Sequence, residues 1–282
     1  MGKRIEGKEI AKTYRENIKS LIEEKVSKGI RRPSMVAVLV GNDGGSISYM
    51  KNQQKLSESL GVKYTSIVLD ESITEEELIK NINELNEDTN VDGIILQLPL
   101  PKQFDEKKVT SSISYKKDID GLTDVNIGLL YKGDKCFIPC TAKSVIEIIK
   151  FVEPNIEGKK AVVIGRSNIV GKPAAQLLLN ENATVTICHS RTKNLKDVCK
   201  EADILVAAMG RPGFVTKDFV KEGAVVIDVG TTMVEGKIKG DVVYDEVIDI
   251  ASHLTPVPGG VGAMTTTMLI KNTCEAWEKN VR

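Results

Sequence analysis

The chain has 282 residues, of which 41% are hydrophobic and 28% charged, a composition typical of folded globular proteins. Its 39 basic residues are balanced by 39 acidic residues, which argues against a nucleic-acid-binding surface because such surfaces carry excess positive charge. The longest apolar runs fall well short of the roughly 20 residues that span a bilayer, and the first residues lack the apolar core of a signal peptide. We therefore expect a cytoplasmic protein that binds neither nucleic acid nor a membrane.

The cysteine and histidine content argues against a metal centre. The five cysteines form no C-x-x-C pair, and the two histidines, His189 and His253, do not form an H-E-x-x-H motif. We predict reduced thiols and no protein-bound metal.

Helical and strand patterns alternate along the whole chain, which is typical of α/β proteins with parallel sheets. In the first half, apolar residues spaced by three and four predict the first helix, and a capping box of Thr74 and Glu77 opens the third. The predicted elements there are helices over 10–26, 46–60 and 74–86 and strands over 35–40, 64–69 and 93–98.

A stretch over 116–139 is irregular and rich in Asp, Gly and Thr, and we place the boundary between two domains within it. The predicted elements beyond it are strands over 161–164, 184–188, 204–208 and 224–229 and helices over 141–151 and 265–279. We expect a first domain over 1–138, a second over 139–263, and a C-terminal helix over 264–282 that packs back onto the first.

A strand, a tight loop and a helix follow one another over 160–173. Such a loop directs backbone N–H groups and the positive end of the helix dipole at a phosphate. It departs from the G-x-G-x-x-G pattern, since Ser167 stands where the second glycine would be. From the spacing alone, a purely structural turn is equally consistent.

The end of the next strand lacks the acidic residue that NAD-specific folds offer to the ribose hydroxyls. It carries His189, Ser190 and Arg191 instead. Arg166, Ser190 and Arg191 would suit the 2′-phosphate of NADP, because guanidinium groups bind phosphate oxygens in pairs. NADP is therefore favoured over NAD, with a solvated surface charge as the alternative for Arg191.

In the first half, polar residues stand where a ligand could bind. Gln97 interrupts an apolar strand near its C-terminal end, where ligands of open α/β sheets collect, and its buried amide requires a hydrogen-bond partner. Tyr49 lies one turn into a helix, where a packing role is the commoner one. Asp118 and Asp120 diverge if their loop is extended, which argues against a paired acid/base device and leaves ligand binding or loop capping.

The order of these motifs resembles the methylenetetrahydrofolate dehydrogenase/methenyltetrahydrofolate cyclohydrolase family over nearly the whole chain. The segments that carry the resemblance are DGIILQLPLP at 92–101, KDIDG at 117–121, PCT at 139–141, GRSNIVGKP at 165–173, ATVTICHS at 183–190 and TPVPGGVG at 255–262.

The resemblance implies a first domain that binds folate and a second, Rossmann-like domain that binds NADP, with a cleft between them, in a homodimer. It places the folate against Tyr49, Gln97 and Asp120, with Asp120 on the pterin ring. It places NADP at Gly165, Arg166, Ser167, Ser190 and Thr231, the last standing where an isoleucine or valine is usual.

One departure from the family pattern bears on the chemistry. The pattern Ser-x-x-Tyr-x-x-x-Lys is matched over 46–53, except that Gln53 replaces the lysine credited with the hydrolysis step. Tyr49 and Gln53 share a helix face, whereas Lys51 and Lys55 each lie about 200° around the helix from Gln53. An amide can neither carry the positive charge nor exchange the proton that a lysine can.

We therefore expect NADP-dependent oxidation of methylenetetrahydrofolate to methenyltetrahydrofolate, with the cyclohydrolase activity weak or lost. One alternative is a fully bifunctional enzyme in which Gln53 positions a water molecule and Tyr49 supplies the proton. The other is a non-enzymatic protein that binds NADP or folate.

Overall fold

The structure is a computed structural model that describes residues 2–281. Its strands, in chain order, are β1 (Lys3–Arg4), β2 (Ser34–Val40), β3 (Lys63–Leu69), β4 (Gly93–Leu96), β5 (Lys160–Ile164), β6 (Thr184–Cys188), β7 (Ile204–Ala207), β8 (Val225–Asp228), β9 (Thr232–Val234), β10 (Lys237–Lys239) and β11 (His253–Leu254). Its helices are α1 (Gly7–Ser27), α2 (Gly44–Ser59), α3 (Glu75–Glu87), α4 (Glu106–Ser111), α5 (Asp124–Lys132), α6 (Cys140–Val152), α7 (Gly171–Asn180), α8 (Leu195–Lys200), α9 (Tyr244–Val247) and α10 (Val261–Asn280), with a 3₁₀ turn at Lys217–Phe219.

The chain divides into two compact units. The first unit is Thr13–Ile138 with Leu269–Arg282, and the second is Met1–Lys12 with Pro139–Met268. The predicted first domain, 1–138, includes the first twelve residues. In the structure they group with the second unit, where β1 pairs with β11 and so extends its sheet by one strand.

The first unit contains a three-stranded parallel sheet in the order β3-β2-β4. All seven residues of the central strand β2 are buried, as expected for a parallel strand that is covered on both faces. The second half of α10 belongs to this unit, and Asn272 Nδ2 donates to the carbonyl oxygens of Ile119 at 2.8 Å and Ile138 at 3.2 Å. These bonds hold the C-terminal helix against the loops that precede α5 and α6.

The second unit contains a six-stranded, wholly parallel sheet in the order β1-β11-β8-β7-β5-β6. The chain passes from β5 to β6 on one side and then to β7 on the other, so the strand order reverses at β5. Ligands of doubly wound sheets bind at such a reversal, beyond the carboxyl ends of the strands. The predicted α/β fold with parallel sheets is confirmed.

Several boundaries differ from the sequence-based ones. Strand β4 ends at Leu96, so Gln97 lies just beyond the strand rather than within it. Helix α5 occupies part of the stretch that the sequence indicates as irregular. Helix α2 begins two residues before the predicted start at 46, because Asp43 caps it by accepting the backbone N–H of Ser46. The capping box of Thr74 and Glu77 is confirmed. No helix in the described part of the chain is long and apolar enough to cross a membrane.

The first unit is tied together by one buried carboxylate. Asp92, fully buried, accepts two hydrogen bonds of 2.7 Å from the Arg31 guanidinium. It also accepts the backbone N–H of Ser34 at 2.9 Å and Asn280 Nδ2 at 3.0 Å. A single side chain thus joins β2, the residue before β4 and the end of α10.

We predict that Asp92→Ala lowers the free energy of unfolding by about 3 kcal/mol or more, because it leaves the Arg31 charge and two other donors without their acceptor. Urea unfolding monitored by circular dichroism measures this. Asp134→Ala, at an exposed position of the same unit, serves as the control and should change stability by less than about 0.5 kcal/mol. Equal effects of the two substitutions would contradict the prediction.

Candidate functional site

The loop after β5 can only be built with glycine at two positions. A Cβ on Gly165 would lie 2.1 Å from the carbonyl oxygen of Ala208, and Gly165 adopts φ +133°. A Cβ on Gly171, the first residue of α7, would lie 2.3 Å from the carbonyl oxygen of Gly165. The close approach of strand, loop and helix therefore leaves no room for a Cβ at these two positions, as in the tight strand–loop–helix turn of a phosphate-binding loop.

Ser167 explains why the loop departs from the glycine-rich pattern. Its Oγ accepts the backbone N–H groups of Val170 and Gly171, both at 3.2 Å. The hydroxyl therefore satisfies two N–H groups at the entrance of α7, which carries no other side-chain cap. A glycine there would allow a closer backbone approach but would leave these groups to solvent or ligand.

A cavity of about 290 Å³ lies at this loop. Its lining comprises Ile164, Gly165, Arg166, Ser167, His189, Ser190, Leu195, Ala208, Met209, Arg211 and Phe214. It thus brings together four of the six predicted cofactor-binding residues. Arg191 and Thr231 are exposed and are not part of this lining, so their role in binding stays a prediction.

The chemistry of the lining fits an anionic dinucleotide. Two guanidinium groups and one imidazole line the cavity, and its lining includes no carboxylate. The Phe214 and Leu195 side chains in the lining offer apolar surface for a base. An acid for the ribose hydroxyls, which NAD-specific folds carry, is missing from this lining.

Asp228, the last residue of β8, orders the chain beyond that strand. Its carboxylate accepts the backbone N–H groups of Gly230, Asp241 and Val242, each at 2.9 Å. Burial raises the pKa of Asp228 to about 6, against the lowering effect of these three hydrogen bonds. Thr231 follows Gly230 directly, so Asp228 fixes the backbone that presents it.

The four predicted folate-site residues all lie in the first unit, around the carboxyl ends of its strands. The Gln97 backbone N–H donates to the Val38 carbonyl oxygen at 2.8 Å, which continues the β2–β4 ladder by one bond. An isolated parallel bridge pairs Ile94 with Asp118. Asp120, half-buried, follows in a turn that is closed by a 3.1 Å bond from the Gly121 backbone N–H to the Asp118 carbonyl oxygen.

Gln53 is fully buried and connects α2 with strand β3 and with the residue just after β4. Its Oε1 accepts the hydroxyl of Tyr64 at 3.0 Å and Nε2 of Gln97 at 3.3 Å. Its own Nε2 has no hydrogen-bond partner in the described part of the chain. Because both donors are committed to the oxygen, the amide can offer only N–H groups to a ligand or a water molecule.

Tyr64 keeps this orientation at physiological pH. Burial, and to a lesser degree the nearby Tyr49 phenol, raises the pKa of Tyr64 above its ordinary value. The hydroxyl thus remains a neutral donor. Lys51 and Lys55 are both exposed, as their positions around the helix predict, whereas the Tyr49 side chain is 38% exposed.

The two aspartates of the 117–121 motif have different surroundings. Asp118 is buried and accepts the backbone N–H groups of Leu122 at 3.1 Å and Thr123 at 2.8 Å, together with Asn126 Nδ2 at 2.8 Å. Of the two roles left open by the sequence, Asp118 has the loop-capping one. Its bonds hold the loop that carries Asp120.

Four residues that shape these sites are not predicted from the sequence: Tyr64, Arg211, Phe214 and Asp228. Asp228 could have been predicted, because it follows the apolar run over 225–227 and a buried carboxylate requires hydrogen-bond partners. Arg211 follows β7 just as Arg166 follows β5, so its place at the same sheet edge could also have been inferred. Nothing in the local pattern distinguishes Tyr64 from an ordinary packing residue of a strand.

Comparisons with known proteins agree with the geometry. A family model described as "Tetrahydrofolate dehydrogenase/cyclohydrolase, catalytic domain" matches residues 5–120, and one described as "Tetrahydrofolate dehydrogenase/cyclohydrolase, NAD(P)-binding domain" matches residues 139–281. The "Bifunctional protein FolD" of Clostridium novyi is 63% identical over 98% of this chain and 99% of its own length.

Two solved structures are similar over the full length. The bifunctional enzyme FolD, methylenetetrahydrofolate dehydrogenase/cyclohydrolase, of Campylobacter jejuni has 41% identity and a TM-score of 0.96 over 99% of both chains. The Trypanosoma brucei methylenetetrahydrofolate dehydrogenase-cyclohydrolase, complexed with NADP cofactor and inhibitor, has 37% identity and a TM-score of 0.94 over 100% of this chain and 99% of its own. The predicted resemblance is confirmed, and the chain belongs to the tetrahydrofolate dehydrogenase/cyclohydrolase family.

Proposed function

We propose that the protein oxidises methylenetetrahydrofolate to methenyltetrahydrofolate with NADP and hydrolyses the product to formyltetrahydrofolate, in one-carbon folate metabolism. The observation that carries the proposal is a cationic, carboxylate-free dinucleotide cavity in the second unit. It occurs in a chain whose first unit holds Gln53 and Gln97 hydrogen-bonded beside the strand ends.

The second activity is included because the comparisons favour it. The replacement of the lysine by Gln53 predicts a weak or lost cyclohydrolase, and the relatives do not support this prediction. Clostridial proteins between 55% and 63% identical to this chain carry the name "Bifunctional protein FolD". We therefore adopt the alternative in which both reactions occur, with Gln53 in the position of the lysine.

Binding of the cofactor is assigned to the loop after β5 and the end of β6. Gly165, Arg166 and Ser167 would hold the phosphates and Ser190 the adenosine ribose, while Arg191 and Thr231 are further proposed contacts. The bound nicotinamide supplies the acceptor for the hydride. The missing acid in the cavity lining supports NADP over NAD.

In the dehydrogenase reaction the first unit has a positioning role. The folate nitrogen lone pairs stabilise the cation that remains when hydride leaves, so no side chain has to transfer a proton. Tyr49, Gln97 and Asp120 would bind and orient the folate, and alignment of the two reacting carbons supplies most of the rate. Gln97 suits this task because its Nε2 is already held by Gln53.

In the hydrolysis a water molecule adds to the methenyl carbon and a ring nitrogen accepts a proton as it leaves. The unpartnered Nε2 of Gln53 would donate to the oxygen of that water and so orient it. An amide does not exchange protons at neutral pH, so the proton that the ring nitrogen receives is assigned to Tyr49, one turn earlier on the same helix face. Of the two protons that the water loses, one would restore the phenol and the other would pass to solvent.

A paired assay of both reactions, on wild type and on Gln53→Lys, tests this assignment. We predict that Gln53→Lys raises the cyclohydrolase rate at least about tenfold and changes the dehydrogenase rate less than about threefold, because only the hydrolysis gains from an exchangeable proton and a positive charge. Methenyltetrahydrofolate absorbance follows both, rising with NADP and methylenetetrahydrofolate and falling on hydrolysis.

Gln54→Lys is the matched control, since it adds the same charge to α2 at a half-buried position where the amide bonds Glu58 instead. Equal changes of both rates in Gln53→Lys would reject the role of residue 53. A wild type that forms methenyltetrahydrofolate but never consumes it would reinstate the single-activity interpretation. A wild type that forms none would favour a non-enzymatic binding protein.

We also propose that the protein is a homodimer, as the resemblance implies. Strand β6 ends the six-stranded sheet, and Ile187 on it is 41% exposed. Phe151 of α6 and Leu179 of α7 are 65% and 52% exposed. Neighbouring elements of the second unit thus present apolar side chains beside an open sheet edge, which favours a second copy of the chain at this surface.

We predict that wild type elutes as a dimer and that Ile187→Lys shifts it towards the monomer, because a charge at the centre of an apolar contact is poorly solvated. Size-exclusion chromatography with light scattering measures the mass. Met233→Lys, at a 63% exposed apolar residue of β9, is the control and should leave the mass unchanged. A dimer that both variants retain would place the contact elsewhere.

A further inference from the structure

A second guanidinium group faces the dinucleotide cavity from a loop that the family resemblance does not assign to cofactor binding. Arg166 lines the cavity from the loop after β5, and Arg211 lines it from the loop after β7. The two cations therefore come from neighbouring strands of the sheet, which pair in parallel. A dianionic group bound between them would be contacted from two sides.

Two contacts fix the position of Arg211. Its guanidinium carbon lies 4.5 Å from the centroid of the Phe214 ring, a stacking distance at which the ring face attracts the cation and restricts its orientation. Its backbone N–H donates to Asp241 Oδ1 at 2.6 Å. The side chain is exposed to solvent, so it is available to a ligand.

Asp241 holds the whole loop and not Arg211 alone. Its carboxylate is fully buried, and Oδ2 accepts the N–H groups of Met209 at 2.7 Å and Gly210 at 3.0 Å. Three successive backbone N–H groups thus bond one carboxylate, which only an acceptor with two oxygens can do. The Asp241 backbone N–H is in turn bonded to Asp228, so a chain of bonds runs from the end of β8 to the cavity wall.

We propose that Arg211 is a specificity-determining residue for the 2′-phosphate of the dinucleotide, and that Asp241 is the positioning residue that holds it in place. The inference rests on the proposed NADP-dependent function. A 2′-phosphate carries nearly two negative charges, and the cavity lining has two guanidinium groups and no carboxylate to oppose them. The plain ribose hydroxyl of NAD carries no charge, so Arg211 adds little to its binding.

Calorimetric titration with 2′,5′-ADP and with 5′-AMP tests the inference without turnover, because the two probes differ in the phosphate at issue. We expect Arg211→Ala to raise the Kd for 2′,5′-ADP about tenfold, the effect of one lost charge-assisted contact, and the Kd for 5′-AMP less than about twofold. Arg211→Lys should recover part of the loss, since it keeps the charge but not the fork. Lys217→Ala, an exposed cation of the same unit outside the cavity lining, should change neither Kd.

Asp241→Asn tests the positioning role. It places an N–H₂ group opposite at least one backbone N–H, and we expect the Kd for 2′,5′-ADP to rise about threefold with little change for 5′-AMP. Asp92→Asn, the comparable buried carboxylate of the first unit, should lower stability without changing the ratio of the two constants. If Asp241→Asn lowers stability and leaves that ratio at the wild-type value, Asp241 is a structural residue only.

The remaining outcomes separate the inference from the proposed function. If Arg211→Ala weakens both probes equally, Arg211 shapes the adenosine pocket and the specificity role is overturned. If the wild type binds 2′,5′-ADP no better than 5′-AMP, or binds neither, the proposed NADP dependence itself fails and the role of Arg211 with it.

Discussion

Buried carboxylates that accept backbone N–H groups just beyond the strand ends are the interaction on which both candidate sites depend. Asp118 does this in the first unit, and Asp228 and Asp241 do it in the second. Loops that leave a parallel sheet carry amide groups that no neighbouring strand can satisfy. A single carboxylate accepts hydrogen bonds from several of these amide groups at once and so fixes the conformation of the loop.

Ionisation of the buried Asp228 carboxyl lowers the stability of the folded protein. A carboxyl whose pKa is higher in the folded protein than in the unfolded chain favours folding most below the unfolded value, and the contribution is lost as the pH rises through the folded value. For Asp228 the window runs from about 4 to about 6, and the difference corresponds to about 3 kcal/mol. The ionised side chain is therefore retained at neutral pH for the loop geometry that it imposes and not for stability.

The pattern of hydrophobic residues predicts β2, β4, β5, β7 and β8 because each is a largely buried run, as expected for a parallel strand that is covered on both faces. It does not predict β1 or β11, since two residues such as Lys3 and Arg4 carry no periodicity of their own and pair only because the tertiary structure brings them to a sheet edge. Helix α5 is missed for a related reason. Its cap, Thr123, lies in a run of Asp, Gly and Thr that is equally typical of a loop.

Some residues of the candidate sites can likewise be predicted from the sequence and others cannot. Gln97 and the loop at Gly165 can be recognised from the sequence, because an amide in an apolar run and a glycine between a strand and a helix are locally anomalous. The bond from Tyr64 to Gln53 and the bonds from the 209–211 loop to Asp241 join residues 11 and about 30 positions apart. Such pairings depend on which strands become neighbours, and no local pattern specifies that.

The surroundings of residue 53 show why glutamine is compatible with the fold and demanding for the chemistry. The oxygen of the buried neutral amide accepts bonds from Tyr64 and Gln97, whereas its Nε2 has no partner in the described part of the chain, and that unpaired donor costs free energy until a ligand or water accepts from it. A lysine at the same place would lose solvation, and burial would lower the pKa of its amine towards the range in which it exchanges protons readily. Glutamine therefore retains a side chain of similar length and an N–H donor at that site, but it lacks the exchangeable proton of a lysine. Hydrolysis then depends on a water molecule that the amide orients and on a proton that the phenol of Tyr49 supplies.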